Sequence, residues 1–256
     1  MKERFIDIPT PSGAMQTFIT HPERSGPFPA VVIYMDIWGV REELFDIARR
    51  VATVGYYCAV PDLYYRNGRV RHDFRNENGR TISANRLDPK QLAAAQASRD
   101  SITDAMVVDD TGALLDFLDR GEPAHAGAMG CTGFCMGGRH VFRVAANFPE
   151  RFRASASVHG THLVTQKEDA PFLSAGKLRG ELYCGFGEKD PHAAPHILAA
   201  LDETMKGCAV RYRPQVHAGA EHGYALPDRD VYDKRATNRD WEIIFSMFRS
   251  QLPPPA

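Results

Sequence analysis

The chain has 256 residues, of which 43% are hydrophobic and 25% are charged. This composition is typical of a soluble globular domain and excludes collagen-like, disulfide-scaffold and wholly disordered chains. Because 31 Lys and Arg nearly balance 32 Asp and Glu, charge gives no reason to expect a nucleic acid or an anionic membrane as a partner. The length permits one or two domains, and we expect one domain over residues 1–256.

The cysteines indicate an intracellular protein. There are five in the whole chain, an odd number and too few for a disulfide scaffold, so free thiols are expected. No apolar run reaches the roughly 20 residues of a membrane-spanning helix. The start of the chain, Met1–Phe5, lacks the apolar core of a signal peptide. We therefore expect a cytoplasmic protein without a membrane partner, as a monomer or homodimer.

The chain begins with a predicted hairpin, in which the strands Phe5–Ile8 and Met15–Ile19 flank a turn-rich joint. Short apolar runs then alternate with helical periodicity, which predicts a mostly parallel, doubly wound α/β sheet with the hairpin as an antiparallel edge. The five runs are Ala30–Met35, Tyr57–Val60, Gly127–Cys131, Ala154–Val158 and Leu182–Phe186. Segments 99–119 and 193–206 are predicted helices, as are the stretches around Leu44–Val51, Val141–Phe148 and Trp241–Phe248. Val210–Val216, which contains Pro214, is predicted as the opposite edge strand.

Residues 65–95 interrupt this alternation. They contain six arginines among Asn, Gly and few apolar residues. A loop of that length in a compact domain is either functional, such as a lid, or partly mobile. An RNA-binding arm is a competing interpretation, which the scarcity of aromatic residues disfavours. Residues 252–256, rich in proline, are expected to form a tail.

The motif that carries chemistry is Gly133–Gly138, Gly-Phe-Cys-Met-Gly-Gly. It lies between a predicted strand and a predicted helix, and glycines stand two residues before and after Cys135. This spacing permits the sharp turn of a nucleophile elbow, which exposes a nucleophile at the carboxyl end of a sheet. The helix N-terminus would stabilise a thiolate and then an oxyanion. The alternative for Cys135 is a small buried hydrophobe.

The order of residues along the chain favours catalysis. In α/β-hydrolases the nucleophile is followed by an acid and then a histidine, each on a loop after a later strand. Asp190 follows the strand Leu182–Phe186, and His222 follows Val210–Val216. All three positions lie at carboxyl ends of strands, where open α/β sheets bind ligands. The sequence therefore predicts an α/β-hydrolase fold with the triad Cys135, Asp190 and His222.

Other side chains near these strand ends have alternative roles. Glu188 and Glu221 are acids expected to be solvated, while His159, His162 and His192 either line the pocket or are ordinary loop residues. The amides of Ile37 and Met136 are the candidate oxyanion hole by position. Trp38 is a core, rim or substrate-contacting aromatic. No Cys or His spacing resembles a metal site, so no metal is assigned.

Five motifs together resemble the dienelactone hydrolase family over most of the chain, from about Pro29 to Phe248. The motifs are Met35–Gly39, Pro61–Tyr64, Gly133–Gly138, Gly187–Asp190 and Glu221–Tyr224. The resemblance implies a Cys-His-Asp hydrolase that acts on small-molecule esters or lactones and needs no metal or organic cofactor. Tyr224 falls within the last motif and is a candidate pocket residue.

Two positions depart from that family. Where its dienelactone hydrolases have a glutamate that helps to ionise the thiol, this chain has the shorter Asp36. Where they have a carboxylate-binding arginine, four residues after the histidine, this chain has Leu226. An apolar residue there predicts a preference for neutral substrates, unless Arg229 or an arginine of segment 65–95 binds the carboxylate. The leading hypothesis is hydrolysis through a thioester. The alternatives are acyl transfer from the same intermediate and a non-catalytic binding protein.

Overall fold

The structure is a computed structural model that describes residues 1–252. Of the predicted tail, residues 253–256 lie outside the described residues. Eight strands form one sheet: β1 Lys2–Thr10, β2 Gly13–His21, β3 Phe28–Tyr34, β4 Tyr57–Pro61, β5 Ala124–Phe134, β6 Phe152–Val158, β7 Glu181–Gly187 and β8 Arg211–His217. Six α-helices flank it: α1 Glu42–Thr53, α2 Pro89–Asp100, α3 Asp104–Leu118, α4 Met136–Asn147, α5 Pro195–Lys206 and α6 Lys234–Gln251.

The sheet has the strand order β1-β2-β4-β3-β5-β6-β7-β8. Strands β1 and β2 pair antiparallel with each other, and β2 pairs antiparallel with β4. All other pairs are parallel. The predicted architecture is therefore confirmed, including the N-terminal edge hairpin and β8 at the opposite edge.

The centre of the sheet is dry because its strands are covered on both faces. Every residue of β3, β4 and β7 is buried, which explains why these strands read as continuous apolar runs without alternation. Parallel strands end at the same edge, so the loops after β3, β5, β7 and β8 meet at one side of the sheet.

The prediction of a single helix over 99–119 is wrong. The structure has two helices, α2 and α3, and α2 begins inside the segment predicted to be irregular. Asp88 caps α2 in a reciprocal capping box with Gln91, and Pro89 occupies its first turn. The helix buries only Ala95 and Ser98, so it lacks the apolar periodicity by which a helix is recognised. No helix within residues 1–252 is long and apolar enough to span a membrane.

Candidate active site

Cys135 lies at a strained turn between β5 and α4. Its φ of 56° and ψ of −115° place a non-glycine residue in a sparsely populated region of backbone space. The flanking glycines permit this turn because neighbouring backbone passes very close. A Cβ at Gly133 would stand 2.2 Å from the carbonyl oxygen of Gly137, and a Cβ at Gly137 would stand 2.3 Å from that of Tyr34. The elbow geometry is as predicted from the glycine spacing.

Asp190 and His222 meet across the loops that follow β7 and β8. The Nδ1 atom of His222 lies 2.7 Å from Oδ2 of Asp190, and the carboxylate is buried while 20% of the imidazole side chain is exposed. The other oxygen, Oδ1, accepts a hydrogen bond from the His192 amide at 2.8 Å, which fixes the carboxylate. Burial alone would lower the pKa of His222, but the electrostatic interaction with Cys135 and the hydrogen bond to Asp190 outweigh it and raise the pKa to about 10.

A cavity of about 260 Å³ brings Cys135 and His222 together, and we call it the reaction cavity. Three further residues expected at the site line it, namely Ile37, Trp38 and Met136. Of the alternative histidines, His162 and His192 also line it. Sequence reasoning missed several other lining residues: Ala84, Leu92, Gln96, Arg99 and Thr161. None of them belongs to a motif. The first four belong to the segment around α2, and no local sequence pattern predicts that this segment lies over the site.

The amides of Ile37 and Met136 are the predicted oxyanion hole. Neither amide donates a hydrogen bond to any atom of residues 1–252, which leaves both N–H groups available to a ligand. The hydroxyl of Tyr64 donates to the Ile37 carbonyl at 3.0 Å and lies 3.9 Å from the Met136 sulfur. Tyr64 therefore orients the Ile37 peptide, a role that its position in the Pro61–Tyr64 motif did not reveal.

His159 supports the elbow from behind and does not line the reaction cavity. Its Nδ1 accepts a hydrogen bond from the Cys135 amide at 3.0 Å, so a neutral ring carries its proton on Nε2. Burial, with the charges of His222 and Arg229, holds the pKa of His159 well below its ordinary value. The ring packs edge-on against that of His222 at a centroid distance of 5.1 Å. His159 is therefore a neutral positioning residue.

The expected role of Asp36 at the thiol is not supported by its contacts. Both carboxylate oxygens bind Arg41, at 2.7 and 3.0 Å, and Oδ1 also accepts a hydrogen bond from the Trp38 amide. Asp36 is fully buried and does not line the reaction cavity. The shorter side chain thus binds a neighbouring arginine, where the family's glutamate is expected to reach the thiol.

Tyr224 and Leu226 are not pocket residues. The Tyr224 hydroxyl donates to Asp240 at 2.8 Å beneath the site. Leu226 is fully buried in the main hydrophobic core, because the turn after His222 directs it inward. The inference about substrate charge from the apolar residue at 226 therefore does not hold, since that side chain does not meet the reaction cavity.

Arg229 is a cation in the reaction cavity, three residues after the apolar Leu226. It lines the reaction cavity, and its guanidinium carbon lies 5.0 Å from the centre of the Trp38 ring. Only 3% of Arg229 is exposed, and its one ion pair is a loose contact of 3.5 Å with Asp36. The Nε atom has no hydrogen-bond partner among the described residues. Burial lowers the pKa of Arg229 more than Asp36 raises it, and the guanidinium remains a buried cation with unused donors.

Segment 65–95 covers the reaction cavity and binds the loop that carries His222. The Thr81 amide donates to the Asp228 carbonyl at 2.8 Å, and the Asp230 amide donates to the Thr81 carbonyl at 3.1 Å. Arg86 bridges Glu221 at 2.7 Å and Asp230 at 3.1 Å. The segment is thus held in place by both backbone and side-chain contacts, and the arginines we considered for substrate or RNA mainly bind carboxylates of the protein.

The remaining thiols do not line the reaction cavity. Cys58, Cys131 and Cys184 are buried in strands, and burial raises the pKa of each, to about 12 for Cys131. A buried thiol of raised pKa is a poor nucleophile. Across the described part of the chain, no group of three or more His, Cys, Asp or Glu side chains could hold a metal ion.

Comparison with known proteins agrees with the resemblance seen in the motifs. The sequence profile of the dienelactone hydrolase family matches residues 15–252. A "Putative carboxymethylenebutenolidase" of Methylorubrum extorquens is 31% identical over 95% of this chain and 79% of its own length. A protein of the same name from Synechocystis sp. is 24% identical over 98% of each chain. The crystal structure titled "Putative Dienelactone Hydrolase" from Klebsiella pneumoniae superposes with a TM-score of 0.80 at 23% identity, over 96% of this chain and 98% of that one. The chain belongs to the dienelactone hydrolase family.

Proposed function

We propose that this protein hydrolyses small carboxylic esters or lactones through a thioester on Cys135. The observation that carries the proposal is the convergence of three groups. Cys135 and His222 line one cavity. Oδ2 of Asp190 lies 2.7 Å from Nδ1 of His222. This is the geometric order of nucleophile, base and orienting acid. The names of the relatives, carboxymethylenebutenolidase among them, agree with a lactone as one substrate class.

In the first half of the reaction the Cys135 sulfur attacks the substrate carbonyl. In the reacting pair Cys135 is a thiolate and His222 an imidazolium, with Asp190 holding the ring in the tautomer that points Nε2 towards the sulfur. The Ile37 and Met136 amides bind the oxyanion that forms on the former carbonyl oxygen. When the tetrahedral intermediate collapses, the C–O bond breaks and the imidazolium gives its proton to the departing alkoxide.

In the second half, water replaces the alcohol. His222, now neutral, accepts a proton from the water as its oxygen attacks the thioester carbonyl. The same two amides bind the second oxyanion. Collapse releases the carboxylic acid and returns the sulfur to the thiolate beside the imidazolium. For a lactone the alcohol remains attached to the acid, so ring opening gives a single hydroxy acid.

Arg229 favours substrates with an anionic substituent. A buried guanidinium with unused donors stabilises a carboxylate far more than a surface cation does, because water does not screen the pair. Trp38 packs against the guanidinium and fixes its orientation in the reaction cavity. We propose that Arg229 binds a carboxylate of the substrate, which reverses the preference for neutral substrates inferred from position 226.

The experiment that tests this function is a panel of lactones and aryl esters assayed with wild type, Cys135→Ala and Cys208→Ala. Cys208 is a half-buried free thiol outside the cavity and serves as the matched control. We expect Cys135→Ala to lose hydrolysis of every substrate and Cys208→Ala to retain it. Hydrolysis by Cys135→Ala at the wild-type rate would refute the proposal.

A further inference from the structure

A second cavity, of about 380 Å³, adjoins the reaction cavity. The two share four lining residues: Arg99, Met136, Thr161 and His162. The two cavities are therefore neighbours, with these four residues between or beside them. Neither the proposed triad nor the oxyanion hole uses any residue that lines the adjoining cavity alone.

The adjoining cavity lies on the side of His222. The ring of His192 is 5.2 Å from that of His222, and the ring of His162 is 4.7 Å from that of His192. Burial and the charge of His222 lower the pKa of His192 to about 4, and burial with Arg99 lowers the pKa of His162. Two neutral imidazoles thus lead from the residue that protonates the leaving group to the adjoining cavity. Because His222 is the proposed proton donor to the leaving alcohol, we infer that the alcohol part of an ester extends this way.

The charges around the adjoining cavity are balanced. Arg99 binds Asp100 at 2.7 Å and Arg139 binds Asp104 at 2.6 Å, while Arg143 contacts Asp104 at 2.8 Å from outside the lining. The lining as a whole has three cations, Arg99, Arg139 and Lys167, and three carboxylates, Asp100, Asp104 and Asp169. Because the lining has equal numbers of cations and carboxylates and two of the pairs are in contact, a neutral polar ligand fits this environment better than an ion.

His140 points to a ligand that both donates and accepts hydrogen bonds. It lines the adjoining cavity and is only 3% exposed, yet neither ring nitrogen makes a hydrogen bond within residues 1–252. The nearest carboxylate oxygen, on Asp104, is 3.4 Å from Nδ1. Nδ1 thus has one long contact, and Nε2 is a buried nitrogen without a partner. An unpartnered buried nitrogen is costly, and a hydroxyl group satisfies it. The lining also presents the hydroxyl-bearing side chains Thr103, Thr161 and Thr165.

We propose that the adjoining cavity is a subsite for a neutral, hydroxylated alcohol group of the substrate, as in an ester of glycerol or a related polyol. The proposal rests on the proposed function, since it concerns the leaving group of that reaction. It extends the substrate class from lactones to open-chain esters. The acyl part lies in the reaction cavity, and the alcohol hydroxyls bind His140 and the threonines.

The test compares 2,3-dihydroxypropyl butyrate with propyl butyrate, which lacks only the two hydroxyls. We expect wild type to favour the diol ester about tenfold in kcat/KM, as two neutral hydrogen bonds would give. His140→Phe should reduce that preference about fivefold and leave propyl butyrate within twofold of wild type. Equal kcat/KM values for the two esters, or a stronger preference for the 3-phosphorylated diol ester, would overturn the proposal.

Two further measurements separate this proposal from folding defects and from the proposed function. Thr165→Val removes a hydroxyl that lines only the adjoining cavity. This variant replaces His140→Phe in the test if His140→Phe does not fold. Thr204→Val, on α5 and outside both cavities, is its control. Binding of 3-butoxypropane-1,2-diol and 1-butoxypropane to Cys135→Ala, followed by NMR titration, needs no turnover. Tighter binding of the diol supports the subsite even if no ester is hydrolysed, an outcome that refutes only the proposed function. Equal binding overturns the subsite even if esters are hydrolysed.

Discussion

Replacement of Arg229 by methionine should remove the preference for an anionic substrate with little effect on the fold. Methionine keeps an unbranched side chain of similar length against Trp38 but has no charge. Asp36 keeps its two contacts with Arg41, at 2.7 and 3.0 Å, so the substitution does not leave a buried carboxylate without a partner. Thermal melting of the variant measures whether the fold is retained.

The magnitude follows from the environment of the guanidinium. Arg229 is 3% exposed, so its interaction with a carboxylate is not weakened by solvent. A hydrogen bond to a charged group contributes about 1.5–3 kcal/mol, which corresponds to a loss of roughly 10- to 150-fold in kcat/KM for the anionic substrate. The neutral analogue lacks the negative charge and is bound more weakly by the guanidinium, so its kcat/KM should fall by a smaller factor than that of the anionic substrate.

The assay follows lactone opening for a pair that differs in one group, a carboxylate in one member and a primary amide in the other. The ratio of the two kcat/KM values is compared between wild type, Arg229→Met and Arg75→Met. Arg75 lies in segment 65–95, has a 45% exposed side chain and is the matched control. If Arg229→Met keeps the wild-type ratio, Arg229 does not bind the substrate. If Arg75→Met alone loses the ratio, the cation comes from segment 65–95.

Three further predictions concern the remaining parts of the site. Asp190→Asn removes a group that raises the pKa of His222, so the imidazolium loses its proton at lower pH. The alkaline limb of kcat for an alkyl ester should then shift to lower pH, whereas an unchanged limb would contradict the acid's role. Tyr64→Phe removes the 3.0 Å bond to the Ile37 carbonyl and should lower kcat by less than the roughly 10²-fold cost of an oxyanion donor, with KM unchanged; a changed KM would indicate substrate contact. Leu226→Ala should destabilise the fold by about 2–5 kcal/mol in chemical denaturation and leave the charge preference intact, and a lost preference would return Leu226 to the pocket.

The sheet could be predicted from sequence because its strands are buried on both faces. Runs such as Ala30–Met35 and Leu182–Phe186 are apolar without alternation, and each coincides with a central strand. The prediction failed at α2, whose alanine-rich sequence buries little. At α2 the sequence signals of a helix were the capping residue Asp88 and Pro89. There was no apolar periodicity to reveal the helix.

The candidate site was predictable where chain order determines position. Cys135, Asp190 and His222 follow the parallel strands β5, β7 and β8, and parallel strands end at the same edge of the sheet. Positions such as Leu226 and Arg229 depend on the path of a turn, in which the Arg229 amide donates to the Leu226 carbonyl at 3.0 Å. Leu226 lies in the core and Arg229, three residues later, lies in the reaction cavity. The sequence has no apolar periodicity in this turn that would predict which of the two faces the cavity.

The most direct test of the central claim is intact mass spectrometry of the acyl-enzyme, trapped by rapid acid quench during turnover of an aryl ester. We expect one acyl group per chain, mapped by peptide digestion to Cys135 and absent from Cys135→Ala. His222→Ala should slow its formation by a factor of order 10²–10⁴. Turnover without an acylated Cys135, or an acyl group on another residue that forms and decays at the catalytic rate, would contradict the thioester mechanism.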